Sequence, residues 1–149
     1  MLALNFPAYS FKIKNSENKQ HIFDIIRKKY VLLTPEEWVR QHVIHYLISE
    51  KNYPASLMAV ERQFSLHKMK KRFDILLFDV QAKPRLIVEC KSPQVKITQD
   101  TFDQLARYNL KYDAELLMVT NGIDHYFCSL DHQNQQYTFL KSIPQYQQV

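Results

Sequence analysis

Residues 73–91 read FDILLFDVQAKPRLIVECK, and this stretch decides the fold. It contains two almost continuously apolar runs, at 73–79 and 85–90, and the short segment between them includes Pro84. Apolar runs of this length are typical of β-strands that are buried on both faces. We therefore expect two neighbouring buried strands, joined by a turn at 82–84.

The segments around this stretch add helices and further strands. A helix is predicted from Thr34 to about Lys51, because Thr34 suits the N-cap, Pro35 the first helical position and Glu37 the capping box. A second, amphipathic helix is expected at 98–112. The other expected strands lie at 57–66, 115–120, 125–130 and 137–141, and strands at 9–14 and 21–26 are predicted to form an N-terminal hairpin.

The chain of 149 residues is therefore predicted to fold as one domain. The expected fold class is α/β (α+β), with a mixed sheet covered by helices and a core in the order αβββαβ. The hairpin extension would occupy 1–33, the core 34–130, and a C-terminal strand and tail 131–149.

Composition excludes several classes of site. The chain has a single glycine, Gly122, so a glycine-rich nucleotide-binding loop is excluded. Cys90 and Cys128 are far apart in the sequence and are expected to be reduced core residues. This favours the cytoplasm as the location of the protein. No apolar stretch of about 18 residues and no signal-peptide pattern occurs, so no membrane is expected as a partner. The net charge of +5 is compatible with a polyanionic partner but is weak evidence alone.

Three charged residues interrupt the apolar strands and suggest a metal site. Asp74 begins one run, Glu89 ends the next, and Lys91 follows two residues later, so Glu89 and Lys91 should share a face. Two carboxylates in an apolar setting raise each other's pKa, and a bound cation removes that conflict. Mg²⁺, or Mn²⁺ in its place, would take carboxylate oxygens and the backbone carbonyl of Cys90 as ligands.

Lys91 would hold or activate the attacking water and offset charge on the transition state of a phosphate reaction. The alternative is that Glu89 and Lys91 are exposed residues at a strand end, with Asp74 capping a turn.

These residues and the text around them resemble a known family. Asp74 with Glu89-Cys90-Lys91 resembles the motif of the PD-(D/E)xK nuclease superfamily, although Phe73 stands where proline is usual. The segments LTPEEWVRQ, KRFDILLFD, LIVECKSP, TFDQLARYN and LLMVTNG resemble the N-terminal nuclease domain of type I restriction enzyme R subunits, in its short stand-alone form. The resemblance spans about 33–130, and the sequence shows no helicase motor motifs.

The resemblance implies a restriction-endonuclease-like fold and a metal-dependent endonuclease that hydrolyses phosphodiester bonds in DNA. It also implies a fourth acidic residue from the first helix, and we favour Glu36 over Glu37. Gln104 and Tyr108 match the QxxxY motif of RecB-like nucleases, which lies beside the metal site. A solvated helix face is the alternative for this pair.

Basic residues near the motif are candidates for phosphate contacts. The turn before Asp74 carries Lys68, Lys70, Lys71 and Arg72, of which Lys70 and Arg72 are favoured. Arg40 would either contact phosphate or hold Glu36 in place. The expected partners are DNA and a motor or methylase subunit, with the oligomeric state open and a dimer one option. The alternative function is a catalytically weak nuclease-fold module that binds nucleic acid or a restriction or repair protein.

Overall fold

The computed structural model describes residues 1–147, and these form two α-helices and two β-sheets. The strands and helices in chain order are β1 Ile13–Ser16, β2 Lys19–Asp24, β3 Lys29–Leu32, α1 Pro35–Ser49, β4 Met58–Leu66, β5 Met69–Phe78, β6 Pro84–Cys90, α2 Gln99–Tyr112, β7 Leu116–Thr120, β8 His125–Asp131 and β9 Gln136–Leu140. A short 3-10 helix, Ala55–Leu57, precedes β4. The predicted αβββαβ core is confirmed. The last two residues of the expected tail lie outside the described residues.

The larger sheet has the strand order β4-β5-β6-β7-β8-β9, and in it β6 and β7 are the parallel pair that α2 connects. The helices cover opposite faces of this sheet. Ile75 and Val88 belong to the core under α1, whereas Leu76 and Ile87 belong to the core under α2. All four side chains have 0% exposure, which confirms the prediction that β5 and β6 are buried on both faces.

The start of α1 follows its capping signal in part. The Thr34 hydroxyl accepts a hydrogen bond from the Glu37 backbone N–H at 3.0 Å, as an N-cap does. The Glu37 carboxylate, however, bonds to Arg27 and Arg40. Glu37 therefore makes ion pairs with other side chains, and not the hydrogen bond to the Thr34 backbone N–H that would complete a capping box. The helix ends at Ser49, two residues before the expected end.

The N-terminal hairpin is only partly confirmed. A three-stranded antiparallel sheet, β1-β2-β3, stands in its place, and β3 was not predicted. Strand β1 begins at Ile13, so the alternation at 9–12 does not form a strand. The reason is that the rings of Tyr9 and Phe11 pack against His45 on α1, at centroid distances of 5.5 and 4.8 Å.

Strands β4 and β5 change faces where Glu61 lies opposite Asp74. The pairs Val60–Ile75 and Arg62–Phe73 flank this step in an unchanged register. In a regular strand positions 73 and 75 would share a face, yet Ile75 lies in the core under α1 and Phe73 in the core under α2. Glu61 has a φ of 55°, which accounts for the local rotation of the ribbon. Asp74 therefore lies at the boundary between the core under α1 and the core under α2.

Residues with positive φ angles recur along the described chain, mostly in turns. Besides Gly122, ten of residues 1–147 have a positive φ: Glu17, Asn18, Lys28, Asn52, Glu61, His67, Lys68, Ala82, Asp113 and Gln135. Two of the hairpins use adjacent pairs of them in two-residue turns, as the twist of antiparallel strands favours.

Both cysteines are buried and unpaired, as predicted. Within residues 1–147 no helix is long and apolar enough to cross a membrane.

Candidate metal and nucleic-acid site

A cleft of about 220 Å³ lies between the end of β6 and the α2 helix. Glu89 and Lys91 both line it, and the Lys91 Nζ atom is 3.5 Å from Glu89 Oε1. The prediction that these two side chains share a face is confirmed. The residues that line the cleft are Lys71, Arg72, Glu89, Lys91, Thr101, Gln104, Leu105 and Tyr108.

The Asp74 carboxylate is held from two sides. Its Oδ1 atom accepts hydrogen bonds from Arg40 Nη2 at 2.6 Å and Arg40 Nε at 3.2 Å. Its Oδ2 atom accepts one from the backbone N–H of Cys90 at 2.8 Å, which fixes Asp74 beside the end of β6. Because a carboxylate oxygen has two lone pairs, Oδ2 keeps one for a further partner.

Burial and neighbouring carboxylates raise the pKa of Glu89 and the pKa of Glu36. Burial, and then the charge of Asp74, raise the pKa of Glu89 to about 8, although Lys91 acts to lower it. Burial and Asp74 also raise the pKa of Glu36, against the opposing effect of Arg40 and Lys91. At neutral pH, Glu89 therefore favours its protonated form unless a cation joins it.

Glu36 and Glu37 have opposite surroundings. The Glu37 carboxylate accepts hydrogen bonds from Arg40 at 2.7 Å, Arg27 at 2.8 Å and Gln41 at 3.1 Å, so both of its oxygens are engaged. The Glu36 side chain is 48% exposed, and its ion pair with Arg40 Nη2 is long, at 3.7 Å. This difference favours Glu36 as the carboxylate that remains open to a ligand.

The structure does not bring the predicted metal ligands Asp74, Glu89 and Glu36 together as a three-carboxylate group. Throughout residues 1–147, no three Asp, Glu, His or Cys side chains form a metal-ligating group. Mg²⁺ commonly binds one or two carboxylates and completes its shell with water and phosphate oxygens. Asp74 and Glu89 would be the two carboxylates of such a site, which stays a prediction.

The structure favours the second of the two predicted roles of Arg40, which is to hold a carboxylate in place rather than to contact phosphate. Its side chain is 5% exposed and contacts Asp74, Glu37, Glu61 at 3.2 Å and Glu36. Burial acts to lower the pKa of Arg40, but the carboxylates of Asp74 and Glu37 outweigh it and raise that pKa. Arg40 thus belongs to the carboxylate cluster, with Asp74 rather than Glu36 as its shortest contact.

Gln104 and Tyr108 lie together on the α2 wall of the cleft. Gln104 Nε2 donates a hydrogen bond to the Tyr108 hydroxyl at 2.6 Å. The Tyr108 ring packs edge-on against Phe64, at 5.3 Å between centroids, and the side chain is 9% exposed. The pair therefore faces the same space as Glu89 and Lys91, and its functional role stays a prediction.

The basic turn divides into two parts. Lys68 and Lys70 are exposed at the tip of the β4–β5 hairpin, whereas Lys71 and Arg72 line the cleft. Arg72 is 59% exposed, and its Nη1 atom lies 3.2 Å from Glu61 Oε2. The cleft therefore contains Lys71 together with Arg72, whereas the sequence analysis favours Lys70 together with Arg72.

Comparison with known proteins identifies the family. Residues 35–144 match the model of the type I restriction enzyme R protein N terminus. The chain belongs to this family. It is also similar in structure to a fragment described as an HsdR subunit of a type I restriction enzyme from Vibrio vulnificus YJ016, with 20% sequence identity and a TM-score of 0.54. That similarity covers 76% of this chain and 24% of the other, so it shows a common fold over about a quarter of the longer protein. Comparison with curated proteins gives no match.

This member of the R-protein N-terminal family also has a buried ion-pair network that sequence reasoning misses. Asp24, with 0% exposure, accepts hydrogen bonds from Arg27 Nε at 2.7 Å and from Gln41 Nε2 at 2.9 Å. The backbone N–H groups of Ile26 and Arg27 also bond to Asp24 Oδ1. The available signal is local, since Asp24 and Arg27 are three residues apart in a turn. Their contact with α1 depends on the tertiary fold.

Proposed function

We propose that this chain is a nuclease domain that hydrolyses phosphodiester bonds in DNA with Mg²⁺ or Mn²⁺. The observation that carries the proposal is a half-buried carboxylate, Glu89, whose pKa is raised beside Asp74 in a cleft that also holds Lys91. Asp74 and Glu89 would hold the ion with the Cys90 carbonyl, and Glu36 would reach it through water.

The charges around the site support a divalent cation. Within residues 1–147, six carboxylates are connected by ion pairs or electrostatic contact: Asp24, Glu36, Glu37, Glu61, Asp74 and Glu89. The cations within 4 Å of them are four: Arg27, Arg40, Arg72 and Lys91. With every group ionised, the cluster has an excess of two negative charges, which one Mg²⁺ would cancel.

The side chains of the cleft fit a phosphodiester substrate. When bound, the metal would stabilise negative charge on the phosphate and favour a hydroxide nucleophile. Lys91 would orient the water and donate hydrogen bonds toward the developing charge. Lys71 and Arg72 would neutralise neighbouring phosphates, and Gln104 with Tyr108 would offer polar contacts to the sugar-phosphate backbone. Lys70, at the exposed hairpin tip, would reach phosphates outside the cleft.

The family relation supports a restriction system as the context. The similar protein is described as a subunit, so a motor or methylase partner is part of this proposal. The family also favours DNA over other polyanions. The assignment to the PD-(D/E)xK superfamily rests on the Asp74, Glu89 and Lys91 pattern.

A plasmid-nicking assay with Mg²⁺ or Mn²⁺ tests the proposal. The wild-type chain should nick DNA, Lys91→Ala should lose cleavage while it still binds Mn²⁺, and Glu89→Gln should lose both. Lys19→Ala, which removes an exposed lysine of the N-terminal sheet, is the matched control and should cleave as the wild type does. Equal cleavage by Lys91→Ala and wild type would show that the activity comes from elsewhere.

A second candidate is a binding module of low catalytic activity. Two observations favour it. Arg40 donates two hydrogen bonds to Asp74 Oδ1 and so occupies both lone pairs of that oxygen. The carboxylates near the site also form no group of three metal ligands among residues 1–147. Such a module would bind DNA at low salt without cutting it. Cleavage at low protein concentration, lost in Lys91→Ala, would contradict this candidate.

A further inference from the structure

Arg40 connects the candidate metal site with a distant part of the chain. Its Nη2 atom lies 2.6 Å from Asp74 Oδ1, and its Nη1 atom lies 2.7 Å from Glu37 Oε1. Because the guanidinium is planar and rigid, bonds from its two terminal nitrogens to two different carboxylates fix its orientation. The position of Glu37 therefore affects how Asp74 is held.

Glu37 is itself tied to the N-terminal sheet. Its Oε1 atom also accepts a hydrogen bond from Arg27 Nη2 at 2.8 Å, and Arg27 Nε pairs with Asp24 Oδ2 at 2.7 Å. Gln41 Nε2 bonds to both Asp24 and Glu37 and joins the same groups a second time. An unbroken series of ion pairs thus runs from the β2–β3 turn through α1 to Asp74.

The consequence at the site is orientation of one carboxylate. Arg40 engages Asp74 Oδ1 fully, which directs Oδ2 to the Cys90 backbone N–H at 2.8 Å, next to Glu89. Without Arg40, the side chain of Asp74 would lose the contacts that select this rotamer. Groups that orient metal ligands in this way usually affect metal affinity strongly.

We propose that Arg40 is a positioning residue for Asp74, and that the β1-β2-β3 sheet holds Arg40 in place through Arg27 and Glu37. The metal affinity of the site then depends on a sheet that contributes no ligand. This inference rests on the proposed metal site, but its geometric part can be tested without metal.

The first test uses NMR of the metal-free protein. The Cys90 amide proton reports the position of Asp74, because Asp74 Oδ2 is its acceptor. Its resonance should move in Arg40→Gln and Arg40→Lys, and by less in Arg27→Gln. Lys29→Gln removes one charge from the same sheet, at an exposed residue, and should leave the resonance in place. An unmoved Cys90 resonance in a folded Arg40 variant would overturn the proposal.

The second test is calorimetric Mn²⁺ binding, in which charge and positioning predict different results. If Arg40 acted only through its charge, Arg40→Lys would bind as the wild type and Arg40→Gln would bind more tightly. Positioning predicts weaker binding in both, by about 10- to 100-fold. It also predicts a smaller loss in Arg27→Gln, which remains available if the Arg40 variants fail to fold.

The outcomes separate this inference from the proposed function. A wild-type chain that binds no Mn²⁺ would contradict the metal site, while the Cys90 resonance would still decide whether Arg40 positions Asp74. A wild-type chain that binds Mn²⁺, together with unchanged affinity in Arg40→Lys and Arg27→Gln, would overturn the positioning role alone.

Discussion

Replacement of Glu89 by Gln should stabilise the metal-free protein at alkaline pH. The pKa of Glu89 is raised from 4.5 to about 8 by burial and by Asp74, so the fold favours the protonated carboxyl. A raised carboxyl pKa contributes stability that is complete at low pH and is lost as the pH rises through about 8. Gln is neutral at every pH and of nearly the same size, so Glu89→Gln should escape that loss.

The magnitude follows from the two pKa values. The difference between 4.5 and about 8 corresponds to about 5 kcal/mol above pH 8, at about 1.4 kcal/mol for each pH unit. The side chain is 21% exposed, so solvent screens part of this cost. We expect Glu89→Gln to be more stable than wild type by about 2 to 3 kcal/mol at pH 9, and to be equal to it within about 0.5 kcal/mol at pH 5.

Urea denaturation in EDTA at pH 5 and pH 9 measures the effect. Glu115→Gln is the matched control, because that carboxylate is 58% exposed and makes a long ion pair of 3.6 Å with Arg85. It should change the free energy of unfolding by less than about 0.5 kcal/mol at both pH values. A Glu89→Gln protein that is no more stable than wild type at pH 9 would refute the reasoning. Mn²⁺ at about 1,000 times its Kd should reverse the order, because it adds about 4.1 kcal/mol to the wild type alone.

Three further predictions concern the metal, the first helix and DNA. Mn²⁺ affinity should fall about tenfold for each pH unit below pH 8 and level off above it, because binding displaces one proton from Glu89. Calorimetry between pH 6 and pH 9 measures this, and an affinity that does not change with pH would contradict it. Thr34→Ala should lower the free energy of unfolding by about 1 kcal/mol, because it removes the N-cap of α1. Urea denaturation should show a lower midpoint with an unchanged m-value. An unchanged midpoint would show that the cap contributes nothing to stability. Lys71→Gln should reduce the slope of log affinity for DNA against log salt by about 1, whereas Lys19→Gln should not, and equal slopes would place Lys71 away from phosphate.

The buried strands and helices could be predicted from local patterns. The apolar runs at 75–78 and 86–88 could be recognised without knowing which strands pair with them, since uninterrupted apolar residues in a strand indicate burial on both faces. Thr34 and Pro35 specify the start of α1 in the same local way. Residues 9–12 misled the prediction because Tyr9 and Phe11 alternate as strand residues do, while their rings dock on α1.

The site was predictable where it depends on strand neighbours and not where it depends on long-range contacts. Glu89 and Lys91 share a cleft because they are two residues apart on one strand end. The sequence pattern places Arg40 on α1 but cannot reveal that its acceptor is Asp74, 34 residues away. Lys71 reaches the cleft because it shares a strand face with Phe73, whose ring lies in the core under α2.

The ten residues with side chains at positive φ have a thermodynamic consequence. A left-handed conformation costs an ordinary L-residue roughly 1–2 kcal/mol, and Asn and Asp somewhat less, so these ten positions hold appreciable conformational strain. The same residues have fewer accessible states than glycine in the unfolded chain, and this saves roughly 0.4–1 kcal/mol of entropy at each position. The strain is the larger of the two effects, so these positions lower the equilibrium stability, while residues that carry side chains make the turns stiffer than glycine would. The loops of this chain should behave as rigid joints rather than hinges, and the cleft should keep its shape when the chain is empty.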